Sequence, residues 1–259
     1  MPRPRLSIVV PAFEETGRLP GRLAAFGAYL EGSPWCPVEL LVVDDGSTDG
    51  TAEAAAAVPV PDGVGLRVLR HEHNRGKGAA VRTGFSASRG ELVLMTDADQ
   101  STPVEELAAL AARMAPGAVP IASRAADRHR IVRRQPVYRD LMGRTFNLLV
   151  RAVLLPGIGD TQCGFKLYPG RLARALAAAQ RIEGFAFDVE HLVLARRWGW
   201  RVVEVPVAWA HAEASRVSPF RHSLQMLRDV VSLGVRRVPP APVGGAPAPP
   251  PPWLPEVLA

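Results

Sequence analysis

The segment Glu91-Leu92-Val93-Leu94-Met95-Thr96-Asp97-Ala98-Asp99 is a short apolar run that ends in two carboxylates one residue apart. An uninterrupted apolar run of this length reads as a strand buried on both faces. Alternate strand residues share a face, so Asp97 and Asp99 would leave the strand end aimed at one point. Two like charges on one face repel unless a cation or hydrogen-bond donors lie between them. The pair therefore suits a hard divalent metal with oxygen ligands, Mg²⁺ or Mn²⁺. The alternative is that one Asp caps the next helix and the other is a solvated loop acid.

Upstream of this run, Leu6 to Val10 reads as a strand closed by Pro11, and Leu19, Leu23, Phe26 and Leu30 mark an amphipathic helix. Val38 to Val43 reads as a second strand, ending in Asp44-Asp45-Gly46-Ser47-Thr48-Asp49-Gly50-Thr51. An Ala-rich helix follows, stopped by Pro59 and Pro61, and then a strand at Leu66 to Leu69. His73-Asn74-Arg75-Gly76-Lys77-Gly78 leads into a helix over Ala79 to Ser88. Downstream, a helix over Val104 to Met114 precedes a strand at Val119 to Ala122.

Strands alternating with helices at this pace predict an α/β fold: a Rossmann-like, mostly parallel central sheet flanked by helices. Ligands in such sheets bind beyond the carboxyl ends of the strands. Glu14, Glu15, Asp44, Asp45, Asp97 and Asp99 would all gather there, which favours a metal–nucleotide site over scattered loop acids. Gly76-Lys77-Gly78 would let the backbone approach a phosphate at a helix start, with Lys77 available to it. This is not a Walker loop, because Gly78 stands where Ser or Thr is needed.

The second half is richer in arginine: Arg124, Arg128, Arg130, Arg133, Arg134, Arg139 and Arg144. Leu141 to Leu155 reads as a helix lying either in the core or in a membrane interface. Asp160-Thr161-Gln162-Cys163-Gly164-Phe165-Lys166 reads as a polar turn, and Phe185 to Glu190 opens a helix reaching about Trp198. A strand over Arg201 to Val207 and a final amphipathic helix over Leu224 to Val235 complete one domain spanning residues 1–237. Residues 238–259, rich in Pro, Ala and Gly, are expected to be disordered. His71 and His73 read as surface residues.

The chain has 259 residues, 47% of them hydrophobic, two cysteines and a formal net charge of +6. Two cysteines make no disulfide framework or zinc motif. The basic balance suits an anionic partner. Nucleic acid is disfavoured, because no recognition module or stacking-aromatic pattern accompanies the arginines. No uncharged run approaches the ~18–20 residues of a membrane span, so a soluble or peripheral protein is expected.

Pro11-Ala12-Phe13-Glu14-Glu15, the Asp44-Asp45 segment, Asn74-Arg75-Gly76-Lys77-Gly78 and Asp97-Ala98-Asp99 resemble, in order and spacing, the family-2 inverting glycosyltransferases of the GT-A fold. The segments Asp160 to Lys166 and Phe185 to Glu190 resemble the dolichyl-phosphate β-glucosyltransferase group of that family. Ser101 stands where the related mannose synthases place a Gln metal ligand. Leu194 stands where the processive synthases need a Gln.

The resemblance implies transfer of glucose from UDP-glucose, a nucleotide-sugar donor, to a polyprenyl phosphate, giving a β-linked lipid product and UDP. GDP-mannose is the alternative donor, and a non-catalytic membrane-associated partner is the alternative of another class. It implies donor binding by Pro11, Phe13, Glu14, Glu15, Asp44, Asp45, Lys77, Asp97, Ala98 and Asp99, with Mg²⁺ or Mn²⁺ on Asp97 and Asp99. The donor half would span about 6–124 and the acceptor half about 125–237. Asp99, Asp160 and Arg124 are the catalytic candidates, with Asp160 either a base or a positioning group. Arg124, Arg139 and Arg216 are the candidates for the acceptor phosphate. Peripheral attachment at the cytoplasmic face of a membrane is expected.

Overall fold

The computed structural model describes residues 3–99, 101–133, 137–210 and 219–258. The first half runs β1 (Leu6–Ala12), α1 (Leu19–Leu30), β2 (Val38–Asp44), α2 (Thr51–Ala56), β3 (Val64–Arg70), α3 (Lys77–Ala87), β4 (Leu92–Thr96), α4 (Glu106–Ala111) and β5 (Ala118–Ser123). The second half runs β6 (Ile131–Arg133), α5 (Val137–Val153), β7 (Phe165–Pro169), α6 (Gly170–Ala179), α7 (Phe187–Arg197), β8 (Arg201–Pro206), β9 (Trp209–Ala210), α8 (Pro219–Val235) and α9 (Leu254–Leu258).

Seven strands form one mostly parallel sheet in the order β3-β2-β1-β4-β7-β5-β8. The apolar strands are continuous because both faces are covered. Ile8, Val10, Leu40, Val42, Leu92 and Leu94 enter the core shared with α1 and α4. Their neighbours Val9, Leu41, Val93 and Met95 enter the core shared with α3, α6 and α7. This is the two-residue period of a strand serving two cores at once.

Strand β7 runs antiparallel between β4 and β5, with Thr96 opposite Phe165 and Leu92 opposite Pro169. Its reversed direction brings the segment before it, residues 160–164, to the edge where β1, β2 and β4 end. The sequence showed that segment as a turn. It did not show the strand after it, because Phe165-Lys166-Leu167-Tyr168-Pro169 places a lysine among apolar residues. Lys166 is wholly buried there, its Nζ donating to Asp188 Oδ1 at 2.6 Å and to Cys163 O at 2.7 Å.

The expectation of a disordered tail is corrected. Trp198 Nε1 donates to Pro239 O at 3.0 Å, and Trp200 Nε1 to Gly245 O at 2.6 Å. Trp253 meets Trp35 edge-on at 6.4 Å, and Leu254 is buried in the core below α1 and α4. Composition concealed this because two apolar residues and a few indole donors suffice to anchor a proline-rich strap.

Helix α5 packs beside α8. It buries Val150 but leaves Leu141, Leu148 and Val153 exposed, while α8 exposes Leu227, Val231 and Val235. Among the described residues no helix is long and apolar enough to cross a membrane.

Candidate active site

A cavity of about 960 Å³ opens at the carboxyl edge of the sheet. Pro11, Phe13, Glu15, Asp45, Lys77, Asp97, Ala98 and Asp99 all line it. The parallel arrangement of β1, β2 and β4 assembles these separated segments, and the strand order switches direction there.

Asp97 and Asp99 lie in the turn after β4, short of α4, whose cap residue is Glu105. Neither Asp caps that helix. Lys77 Nζ, from the first turn of α3, lies 2.6 Å from Asp97 Oδ1. Burial pushes the Asp97 carboxyl upward and the Asp99 charge adds to this, while Lys77 opposes both. Burial alone would depress the Lys77 ammonium; Asp97 and Asp188 together raise it instead. A buried carboxylate with a second carboxylate beside it is a donor set suited to a divalent cation. Among the described residues no group of three or more His, Cys, Asp or Glu is placed to hold a metal ion. Asp99 Oδ1 also accepts from Ser101 N at 2.9 Å, which fixes the turn.

Gly164 allows the closest approach in the site. Its Cα faces the Asp97 carboxylate, and a Cβ there would collide with all three carboxylate atoms. Asp97 N donates to Gly164 O at 3.1 Å. The turn before β7 is therefore the floor on which Asp97 rests.

The remaining predicted residues divide by position. Asp45 accepts from Gly76 N at 2.7 Å and Arg75 N at 3.1 Å, so it shapes the glycine loop from below. His71 joins it, with Nδ1 2.7 Å from Asp45 Oδ1 and Nε2 2.9 Å from Thr83 Oγ1, its ring largely covered although the residue is only partly buried. Asp44 points away from the pocket. It is fully buried, accepts from Ser47 N and Ser47 Oγ, and lies 3.4 Å from Arg70 Nε. Glu14 takes a left-handed backbone, φ 56°, and its Oε1 accepts from Thr48 N and Oγ1 at 2.8 and 3.0 Å. Asp44 and Glu14 thus hold the β1 and β2 loops together, where the sequence suggested donor contacts. Glu15 pairs with Arg18, another pocket residue.

Asp160 and Arg124 form a bidentate pair, Nε to Oδ2 at 2.7 Å and Nη2 to Oδ1 at 2.8 Å. Arg124 N, Gln162 N and Cys163 N also donate to this carboxylate. Burial would raise Asp160, but the Arg124 charge and hydrogen bonds bring it down to about 2. The Trp209 ring lies 5.3 Å from the Arg124 guanidinium carbon. Arg139 belongs to α5, its side chain outside the described residues, and Arg216 lies outside them entirely.

Of the remaining wall, sequence motifs marked only Phe185, the first residue of the Phe185 to Glu190 segment. Arg181, Ile182, Glu183, Gly184 and Phe185 line the cavity from the loop before α7, Gln225, Asp229, Ser232 and Leu233 line it from α8, and Arg236 lines it just past the end of α8. Those of α8 follow a helical spacing, but the same helix carries an apolar stripe that dominates its pattern.

The family profile described as glycosyl transferase family 2 matches residues 7–176. A dolichyl-phosphate beta-glucosyltransferase of Drosophila melanogaster is 37% identical over 247 residues, covering 91% of this chain and 76% of that protein. One of Saccharomyces cerevisiae is 33% identical, covering 88% and 73%. Among solved structures, the glucosyl-3-phosphoglycerate synthase from Mycobacterium tuberculosis, in complex with Mn²⁺, uridine-diphosphate and phosphoglyceric acid, superposes with a TM-score of 0.66 at 19% identity, covering 95% of this chain and 90% of that one. The chain belongs to glycosyl transferase family 2.

Proposed function

We propose that this glycosyltransferase moves glucose from UDP-glucose to a polyprenyl phosphate with inversion, giving a β-linked lipid phosphate sugar and UDP. The convergence of Asp97, Asp99 and Lys77 in one large pocket carries this reading. The names of the relatives at 33–37% identity support the substrate pair.

Asp97 and Asp99 would hold Mg²⁺ or Mn²⁺, which when bound supplies positive charge to the leaving diphosphate. Lys77 adds a cation at the same edge. Asp45 holds the turn at Arg75 and Gly76 and so sets Lys77 beside Asp97, and Pro11 and Phe13 form the wall along which the nucleotide would lie. A lipid monophosphate is already largely anionic at neutral pH, its second pKa being about 6, so the reaction needs no strong base. Asp160, held ionised by Arg124, positions that arginine and the floor beneath Asp97. Arg181 in the pocket wall is suited to a phosphate, alongside Arg124, Arg139 and Arg216 as the resemblance implies, whereas Arg75 is paired with Glu183.

The exposed apolar rows of α5 and α8 support peripheral attachment to a membrane, where the acceptor resides, and we assign that surface to its cytoplasmic face. Purified protein incubated with a short polyprenyl phosphate, Mn²⁺ and either UDP-glucose or GDP-mannose tests the function. Mass spectrometry should find hexosylated lipid with UDP-glucose. Product with GDP-mannose alone would replace the donor, and no product with either would defeat the enzymatic reading.

A further inference from the structure

Of the 31 Lys and Arg residues in the chain, two are lysines, Lys77 and Lys166. Lys77 lines the pocket, whereas Lys166 does not reach it. Lys166 is wholly buried on β7, opposite Met95 of β4. An ammonium is a compact point charge with three donors, and a guanidinium is a broad planar fork. A closed position between several segments suits the former.

Two segments are fastened to the Lys166 ammonium. Its Nζ donates to Cys163 O at 2.7 Å, in the turn before β7, and to Asp188 Oδ1 at 2.6 Å, in the first turn of α7. Each partner is in turn tied to a group of the site. Gly164, next to Cys163, underlies the Asp97 carboxylate and accepts from Asp97 N. Cys163 N donates to Asp160 Oδ1. The Phe187 ring, next to Asp188, lies 5.8 Å from Lys77 Nζ. Burial would lower the Lys77 ammonium, and the charges of Asp97 and then Asp188 raise it.

Stability does not account for the pair. Both charges are desolvated, and apolar residues of similar volume in place of a buried ion pair often leave a protein as stable or more so. Apolar residues could not fasten the carbonyl of the turn and the start of the helix to one point. We propose that Lys166 and Asp188 are positioning residues for the transfer: their ion pair fixes the 160–164 turn against the start of α7 and so sets Asp97 beside Lys77. This rests on the donor reading above and deepens it.

The test compares wild type with two variants of the full chain. Lys166→Met/Asp188→Leu replaces the pair by apolar groups of similar volume, and Asp188→Asn removes the charge but keeps an acceptor for Lys166. Three quantities are read: the melting temperature, turnover with UDP-glucose and a short polyprenyl phosphate, and Mn²⁺ binding at saturating UDP, followed by the paramagnetic resonance of the free ion. The double variant should melt within several degrees of wild type. It should turn over about a hundredfold more slowly and bind Mn²⁺ about tenfold more weakly, with the KM for the acceptor changed by no more than about threefold. Asp188→Asn should fall between, about tenfold slower and about threefold weaker for Mn²⁺. Wild-type turnover and Mn²⁺ binding in either variant would overturn the proposal, and Asp188→Asn decides it alone if the double variant does not fold. Wild-type protein that neither binds UDP nor transfers glucose would instead remove the donor reading, and the positioning role with it.

Discussion

The Arg124 guanidinium grips both carboxylate oxygens of Asp160, at 2.7 and 2.8 Å, and three backbone amides crowd the same group. A carboxylate so fully engaged has little basicity to offer. Its pKa is lowered to about 2 from an ordinary 3.8. A depressed carboxyl stabilises the fold above its unfolded-state pKa and loses that effect as pH falls through the folded value. Asp160 should therefore contribute roughly 2 kcal/mol at neutral pH. Urea melts should show Asp160→Asn less stable than wild type at pH 7, the gap narrowing below about pH 4 and closing near pH 2. An acid limb near pH 6 in the rate profile, set by the lipid phosphate, should persist in Asp160→Asn.

Gly164 supports Asp97 by having no side chain. A methyl group there would push the Asp97 carboxylate away, and a carboxylate at the end of a side chain moves at small cost. Gly164→Ala should fold with a melting temperature within a few degrees of wild type. Its turnover should fall about a hundredfold, the scale of losing one preorganised electrostatic group, and the Mn²⁺ concentration for half-maximal rate should rise. Full activity at ordinary Mn²⁺ would show that the position of Asp97 is unimportant.

The sequence carried the first half of this architecture well, because Ile8, Leu40 and Leu94 belong to unbroken apolar runs closed by turn residues. It also placed Asp45, Lys77, Asp97 and Asp99 at one edge, since strand ends follow from strand positions. It could not separate Asp44 from Asp45. Adjacent residues share every sequence cue, and only the turn to Ser47 decides which carboxylate faces the pocket. Asp229 was illegible for another reason. Its helix advertises the exposed Leu227 and Val231, while its own place in the pocket wall arises only because Gly184, distant in sequence, comes to lie against it.

The proline-rich strap that ends the chain is a stabilising element. Truncation after Arg237 would strip the partners of Trp198 and Trp200 and uncover the site of Leu254. Burial of one large apolar side chain is worth about 1.5–3 kcal/mol, and lost partners for two indole N–H groups add to it. The truncated protein should melt at least several degrees lower while retaining UDP affinity. An unchanged melting temperature would mean that the strap contributes nothing.

Helices α5 and α8 present apolar side chains outward on neighbouring surfaces. Leu148 is 65% exposed and Val231 is 59% exposed. Exposed Arg151 and Arg228 lie on the same two helices. Apolar rows with accompanying arginines suit the boundary between lipid headgroups and acyl chains, and each charge near an anionic surface adds about 1 kcal/mol. Replacing Leu148 and Val231 together with glutamate should cut co-sedimentation with anionic vesicles at low salt by about tenfold or more. Binding of UDP should stay within about twofold of wild type, because neither residue lines the pocket. The rate with a short, detergent-soluble acceptor should hold, while the rate with long-chain acceptor in vesicles falls. Equal sedimentation of variant and wild type would overturn attachment through this surface.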